Sequence, residues 1–153
     1  MDLKKASLED RKLLGRLMQL YLHDLCLYFP LEIANDGIYY YDDFDEYFSM
    51  NRLAYLFYDN DKIVGFCLID ISDELNSFQE MFILNNYKHR GYGREAVCKI
   101  FDMYPGEWIV KAVPNSRIAE EFWDTVISLY TNNNYILEHT GKYNRAEFSF
   151  SNK

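Results

Sequence analysis

Three cysteines, three prolines and seven glycines are all that this chain of 153 residues holds of the residue types that staple, break or loosen a fold. Cys26, Cys67 and Cys98 stand far apart, form no C-x-x-C pair and have apolar neighbours. That argues against a disulfide framework and for buried, reduced thiols. His23, His89 and His139 are isolated, so no metal-ligand spacing is present. No apolar run approaches the roughly 18 residues of a membrane helix. Residues 1–20 carry charges throughout and lack the apolar stretch of a secretory signal, so the expectation is a cytoplasmic protein with no membrane partner. Positive charge is also scarce: 16 Lys and Arg face 24 Asp and Glu, a formal net charge of −8. This balance argues against a general binder of nucleic-acid backbone and suits a cationic small molecule better.

What is abundant is apolar and aromatic material: 49% hydrophobic residues, 18% aromatic, fourteen of them Tyr. Disorder is excluded over most of the chain. The length fits one domain, 1–153, able to bury roughly 70% of its extended-chain surface without staples. The aromatic content permits a homodimer but places no interface.

Residues 1–6 read as a short edge strand. Ser7 and Asp10 form an S-x-x-D helix start, and Leu13, Leu14, Leu17, Met18, Tyr21 and Leu25 give the helix that follows an apolar face. Pro30 lies past its end, and Asn35-Asp36-Gly37 marks a turn. Residues 42–48 suggest a short helix. Residues 52–58 and 63–69 make a hairpin across Asp59-Asn60-Asp61-Lys62, and 78–84 is a third strand. Helices are expected over 94–103 and 116–130, and strands over 108–113, 135–139 and 145–150. The order implies a single-domain α/β fold with a mixed sheet flanked by helices.

The stretch with most chemical content is Lys88-His89-Arg90-Gly91-Tyr92-Gly93, between a strand and a helix, with Arg94 next. N–H groups at a helix start lack intrahelical partners and point outward. Glycine allows an unusual backbone path, and the cations add positive charge in an acidic chain. Together these describe a diphosphate cradle. The G-x-x-x-x-G-K-[ST] phosphate loop is absent. A dinucleotide fingerprint fits poorly, because the motif lies late in the chain and no acidic strand end follows about 20 residues on.

Lys88-x-x-Gly91-x-Gly93 resembles the signature of the GNAT superfamily of acyl-CoA-dependent N-acetyltransferases, in which Arg or Gln holds the first place. The resemblance runs along nearly the whole chain. It implies a splayed mixed sheet, acetyl-CoA as cosubstrate, and a loop whose N–H groups hold the CoA diphosphate. On that basis Lys88, His89, Arg90, Gly91, Tyr92, Gly93 and Arg94 are expected at the diphosphate. The strand Glu80-Met81-Phe82-Ile83 is expected along the pantetheine arm, with the contacts at Met81 and Ile83. The family's second marker, Asn-x-x-Ala followed by an aromatic pair, is matched by Ala119-x-x-Phe122-Trp123. Ser116 stands at the Asn place and Asn115 just before it. Asn115, Ser116, Phe122 and Trp123 therefore join the expected cofactor contacts, with burial in the core as the competing reading for Trp123. Many relatives have Tyr as the second aromatic, protonating the departing thiolate. The indole of Trp123 has no readily lost proton. Tyr130 lies two turns further on, roughly 10 Å away, and is the remaining candidate acid on that helix.

Amide formation from a thioester needs a neutral amine, an aimed carbonyl, a donor for the oxyanion and a leaving thiolate. Glu80, an acidic residue within the expected cofactor strand, is the candidate base, against the reading of a salt-bridged carboxylate. Strand alternation puts Glu80 and Phe82 on one face and Met81 and Ile83 on the other, unless a bulge intervenes. Tyr28, Phe29, Tyr39 and Tyr40, with the acidic run Asp42 to Glu46, are expected around a small-molecule amine acceptor, since aromatic faces and carboxylates suit an ammonium ion. Two other classes remain open: a CoA-binding or regulatory module without turnover, which the absent Tyr at 123 favours, and an interaction domain with no nucleotide ligand.

Overall fold

The computed structural model describes residues 1–153. Seven strands form one sheet in the order β1-β2-β3-β4-β5-β7-β6: β1 (Asp2–Lys5), β2 (Arg52–Asp59), β3 (Lys62–Asp70), β4 (Asn76–Ile83), β5 (Glu107–Lys111), β6 (Ile136–Thr140) and β7 (Arg145–Ser151). Three helices complete it: α1 (Arg11–Leu25), α2 (Tyr92–Met103) and α3 (Arg117–Tyr130). Every adjacent pair of strands is antiparallel except β4 and β5. A parallel pair needs a crossover, and α2 supplies it.

Binary patterning distributes the helices. Leu14, Leu17, Met18, Tyr21 and Leu22 of α1 pack on Ala54, Leu56, Phe66, Leu68 and Phe82 of β2–β4. On the other face, α2 and α3 bury Val97, Ile100, Phe101, Val126 and Ile127 against Tyr55, Cys67, Phe78, Trp108 and Phe148. The start of α1 is held as the S-x-x-D spacing predicts. Ser7 N–H donates to Asp10 Oδ2 at 3.0 Å and Lys4 Nζ donates to Oδ1 at 2.8 Å, which satisfies a helix-end donor and ties the helix to β1. The turn at Asn35-Asp36-Gly37 is present, with Gly37 at φ +80°.

Two irregularities shape the centre. First, β4 and β5 pair over only three residues: Asn76 with Trp108, Ser77 with Ile109 and Phe78 with Val110. Beyond Phe78 the strands diverge and the sheet forks. Second, β4 pairs with β3 as Glu80 with Leu68 but as Phe78 with Ile69, so Gln79 is a bulge, an extra residue on β4. Phe78 consequently joins the α2–α3 core while Glu80 faces α1. No helix is long and apolar enough to cross a membrane, and no cluster of His, Cys, Asp and Glu could hold a metal ion.

Candidate functional site

The fork leaves one edge of β4 without a strand. Leu84 N–H donates to Val64 O at 2.9 Å. In an antiparallel ladder the bonding alternates, so Phe82 and Glu80 direct their backbone groups at β3. Met81 and Ile83, opposite Cys67 and Gly65, direct theirs at the side that β5 has left. A half-buried, unpaired ladder edge calls for a partner, and an extended arm rich in amides fits it. Phe82 must be withdrawn from the expected contacts: its backbone faces β3 and its ring is buried against Tyr21 and Phe66. The close β3–β4 approach needs Gly65, because any Cβ there would collide with Phe82 O.

At the top of this edge the chain turns into α2. Gly91 is its N-cap at φ +85°, and His89 also lies left-handed at φ 61°. The helix starts at Tyr92, two residues earlier than the periodicity suggests. Gly91 O accepts from Glu95 N–H at 3.0 Å, so the N–H groups of Tyr92, Gly93 and Arg94 lie in the first turn and lack intrahelical acceptors. Lys88, His89, Arg90 and Arg94 are exposed around them, none paired with a carboxylate. The Arg90 guanidinium lies 5.6 Å from the Tyr87 ring centre. Gly93 sits under Phe122, where a Cβ would come within 3.1 Å of the ring and 3.6 Å of Ile83. Loop, strand edge and α3 therefore converge. The side chain of Tyr92 points elsewhere, its hydroxyl donating to Asp59 at 2.5 Å, so only its backbone faces the cradle.

On the α1 side of the fork stands Glu80, half-buried. It accepts from the hydroxyls of Tyr21 and Tyr41, the latter at 3.1 Å. Burial pushes its carboxyl above the ordinary 4.5, against the pull of both hydroxyls and of the Arg145 charge. Burial and the same carboxylate raise Tyr21 and Tyr41 well above a normal phenol. This is the arrangement that moves a carboxylate toward the neutral range where a base works best.

Several expected residues have other duties. Trp123 is 6% exposed and packs on Phe78 and Phe122, so it belongs to the core and not to the cofactor wall. Tyr130 packs on Phe101 and Phe150 and donates to Asp102 at 2.8 Å, near the C-terminal end of α2. That places it behind the closed part of the sheet, remote from the fork, and removes it as the acid. Burial lifts its hydroxyl to about 12. Ser116 caps α3, its Oγ accepting from Ala119 N–H at 3.1 Å. Asn115 Nδ2 donates to Tyr28 O at 3.1 Å, joining the α3 entry to the end of α1. Both are therefore structural ties.

Among the acceptor candidates, Phe29 stacks edge-on against Tyr143 of the β6–β7 turn, ring centres 5.4 Å apart. Tyr39 N–H donates to Gln19 Oε1 at 2.8 Å, and Tyr39 O accepts from Gln19 Nε2 at 2.7 Å. Its hydroxyl lies 3.0 Å from His23 Nδ1. Tyr40 is 72% exposed and donates to Asp36. Phe29 thus reaches from the end of α1 to the β6–β7 turn and Tyr28 meets the α3 entry through its carbonyl, while Tyr39 and Tyr40 brace the loop. Of the 42–46 run, Asp43, Asp45 and Glu46 pair with Arg52 or Arg11 on the surface. Tyr21 and Arg145 are the residues that sequence reasoning missed. The first was visible only as a core position of a helix, the second only as the start of a strand.

The sequence profile described as the acetyltransferase (GNAT) family matches residues 17–125. No curated protein matches the sequence. Solved structures similar to the chain include an acetyltransferase from Thermus thermophilus, 15% identical with TM-score 0.68, covering 98% of this chain and 96% of that one. The PaiA N-acetyltransferase of Thermoplasma acidophilum, in complex with coenzyme A, is 14% identical with TM-score 0.62 over 98% of both chains. A spermidine N-acetyltransferase from Vibrio cholerae, in complex with CoA and spermine, is 11% identical with TM-score 0.62 over 99% of this chain and 95% of that one. With its forked mixed sheet, its glycine turn at the head of α2 and this match over most of its length, the chain belongs to the GNAT family of acetyltransferases.

Proposed function

We propose that the protein transfers the acetyl group of acetyl-CoA to the primary amine of a small acceptor by direct attack, with both substrates bound together. The observation that carries the reading is the free edge of β4 ending in the α2 N-terminus, with a half-buried carboxylate beside it. The first-turn N–H groups of α2, with Lys88, Arg90 and Arg94, are suited to the diphosphate by dipole and charge. The backbone groups of Met81 and Ile83 are suited to the amides of the pantetheine arm. An arm paired there carries its thioester down toward Gln79 and Glu80, where β4 bulges at the fork.

The acceptor arrives as an ammonium ion and must lose a proton to attack. Glu80 takes that proton, directly or through one water, while Tyr21 and Tyr41 hold its carboxylate in place. The neutral nitrogen attacks the thioester carbon, the C–S bond breaks, and the thiolate leaves with the sulfur electrons to be protonated by solvent. α3 supplies no acid for that step, since Trp123 and Tyr130 are both packed away. A thiolate departs without one because it is itself only a weak base, its thiol having a pKa of about 8.5.

Release of free thiol from acetyl-CoA, measured against a panel of primary amines with product mass, tests the reading. Amine-dependent release with an acetylated product supports it. Tight CoA binding with no release for any amine favours a second reading, a CoA-binding module without turnover, for which the missing acid on α3 speaks.

A further inference from the structure

Past the fork the two diverging arms carry opposite charges. Glu80 lies two residues beyond the last β4–β5 pair, and Ala112 lies two residues beyond it on the other arm. Ala112 extends the ladder to β7, its N–H donating to Ala146 O at 2.9 Å. The guanidinium of Arg145 closes this arm: Nε donates to Ala112 O at 2.8 Å and one terminal nitrogen reaches Lys111 O at 3.5 Å. Ala146, Phe148 and Phe150 of β7 face the α2–α3 core. Alternation therefore turns Arg145 to the opposite face, the one that bears Glu80.

Arg145 is unusual in its pairing. Among the Lys and Arg side chains that contact no carboxylate, it alone is not exposed. In an acidic chain a half-buried guanidinium without an anion is costly, and two carbonyl bonds leave most of its five N–H donors unassigned. Its nearest acidic neighbour on β7, Glu147, is directed away, to Lys111 at 3.5 Å and Thr140 at 3.1 Å. The Arg145 charge is felt at Glu80 and Tyr21 across the gap, yet it forms no ion pair with either. Its carbonyl bonds fix the planar fork in place, the geometry that recognises a carboxylate with two parallel bonds.

We propose that Arg145 is an acceptor-binding residue, and that the acceptor of this enzyme is a small amine that also carries a carboxylate, an amino acid or close analogue. This rests on the acetyl-transfer reading above. The amine is presented to Glu80 on one arm of the fork and the carboxylate to Arg145 on the other.

The test uses matched acceptors that differ only in the carboxylate: leucine and isopentylamine, lysine and cadaverine, γ-aminobutyrate and propylamine. Rates are compared after correction for the fraction of neutral amine. Wild type should prefer the carboxylate-bearing member of at least one pair by about 10- to 100-fold in kcat/KM, the range of a charge-assisted hydrogen bond. Arg145→Gln should erase the preference, the carboxylate-bearing member losing about 10- to 100-fold more than the plain amine, with the KM for acetyl-CoA unchanged. Arg145→Lys should keep part of it. Equal rates within every pair overturn the proposal. So does an Arg145→Gln loss that is the same for both members, accompanied by a shift of the acid limb. That pattern would mean Arg145 acts only on the ionisation of Glu80, whose other neighbours are Tyr21, Tyr41 and Tyr47. Acetylation of no amine at all would instead defeat the transfer reading. The proposal is then decided by thermal stabilisation of the CoA complex, which amino acids should give and plain amines should not. Should Arg145→Gln fail to fold, Arg145→Lys and the wild-type pairs decide.

Discussion

The two sides of the fork are built from different materials. Toward the α2 N-terminus the candidate site is main chain: two edge residues of β4, a left-handed glycine and three first-turn amides, with cations as exposed additions. Toward the acceptor it is side chain: a carboxylate, two phenols and a guanidinium contributed by α1, the 26–51 loop, β4 and β7. Main-chain sites depend on a path that few residues can follow, so they leave glycines in fixed spacing. Side-chain sites depend on residues far apart along the chain, and they leave no local trace. A substitution on the first side should therefore change how tightly acetyl-CoA binds, and one on the second should change turnover and choice of acceptor.

The largest expected effect lies on the side-chain half. Glu80→Gln should lower kcat by about 10²- to 10⁴-fold with the affinity for CoA unchanged, read by calorimetry beside the thiol assay. The same variant has a stability signature. The folded carboxyl of Glu80 titrates above its ordinary 4.5. The stability it contributes is thus fully present below pH 4.5 and is lost as pH rises through the raised value. Glu80→Gln should lack that loss, so its melting temperature should gain on wild type between pH 4.5 and pH 8. A variant that loses CoA binding together with turnover would blur the division between the halves.

On the main-chain half, Lys88→Ala with Arg90→Ala should weaken acetyl-CoA by about 10- to 100-fold at low salt. The loss should shrink as salt is added, and S-acetylpantetheine, which has no diphosphate, should be unaffected. An equal loss with both donors would place the diphosphate elsewhere.

Two smaller effects mark residues outside both halves. Asp10→Ala removes the acceptor at the start of α1 and should cost about 1 kcal/mol in stability. Its carboxyl is held below the ordinary 3.8 by Lys4 and by the Ser7 N–H. The difference from wild type should therefore be full above pH 3.8 and close as pH falls through the lowered value. Tyr130→Phe should cost about 1 kcal/mol and leave kcat alone. A large fall in kcat would return Tyr130 to the chemistry.

The same contrast explains what could be read from residues alone. The strands at 52–58 and 63–69, the apolar faces of all three helices and the Lys88–Gly93 turn are local patterns, and each stands within about two residues of its predicted place, apart from small shifts at the ends. The contact of Tyr21 with Glu80 spans 59 residues and that of Tyr41 spans 39, so no periodicity reports them. Among the adjacent tyrosines, Tyr39 and Tyr40 carried the expectation, yet it is Tyr41 that meets Glu80. A loop with no repeating geometry does not say which of three neighbouring rings points inward. Trp123 and Tyr130 show the reverse: their helix spacing is legible as an apolar face, and the structure packs both on that face.

Gln79 is the residue that lets Phe78 and Glu80, two apart along the chain, stand on opposite faces of the sheet. Removing it would leave Phe78 opposite Ile69 and Glu80 opposite Leu68 as consecutive rungs of a regular ladder, each on its present face. What would go is the local bend and extra twist that the added residue gives β4 beside the fork. A deletion at this place should therefore spare the fold and be felt in turnover, whereas changing Gln79 to another exposed polar residue should do little to either.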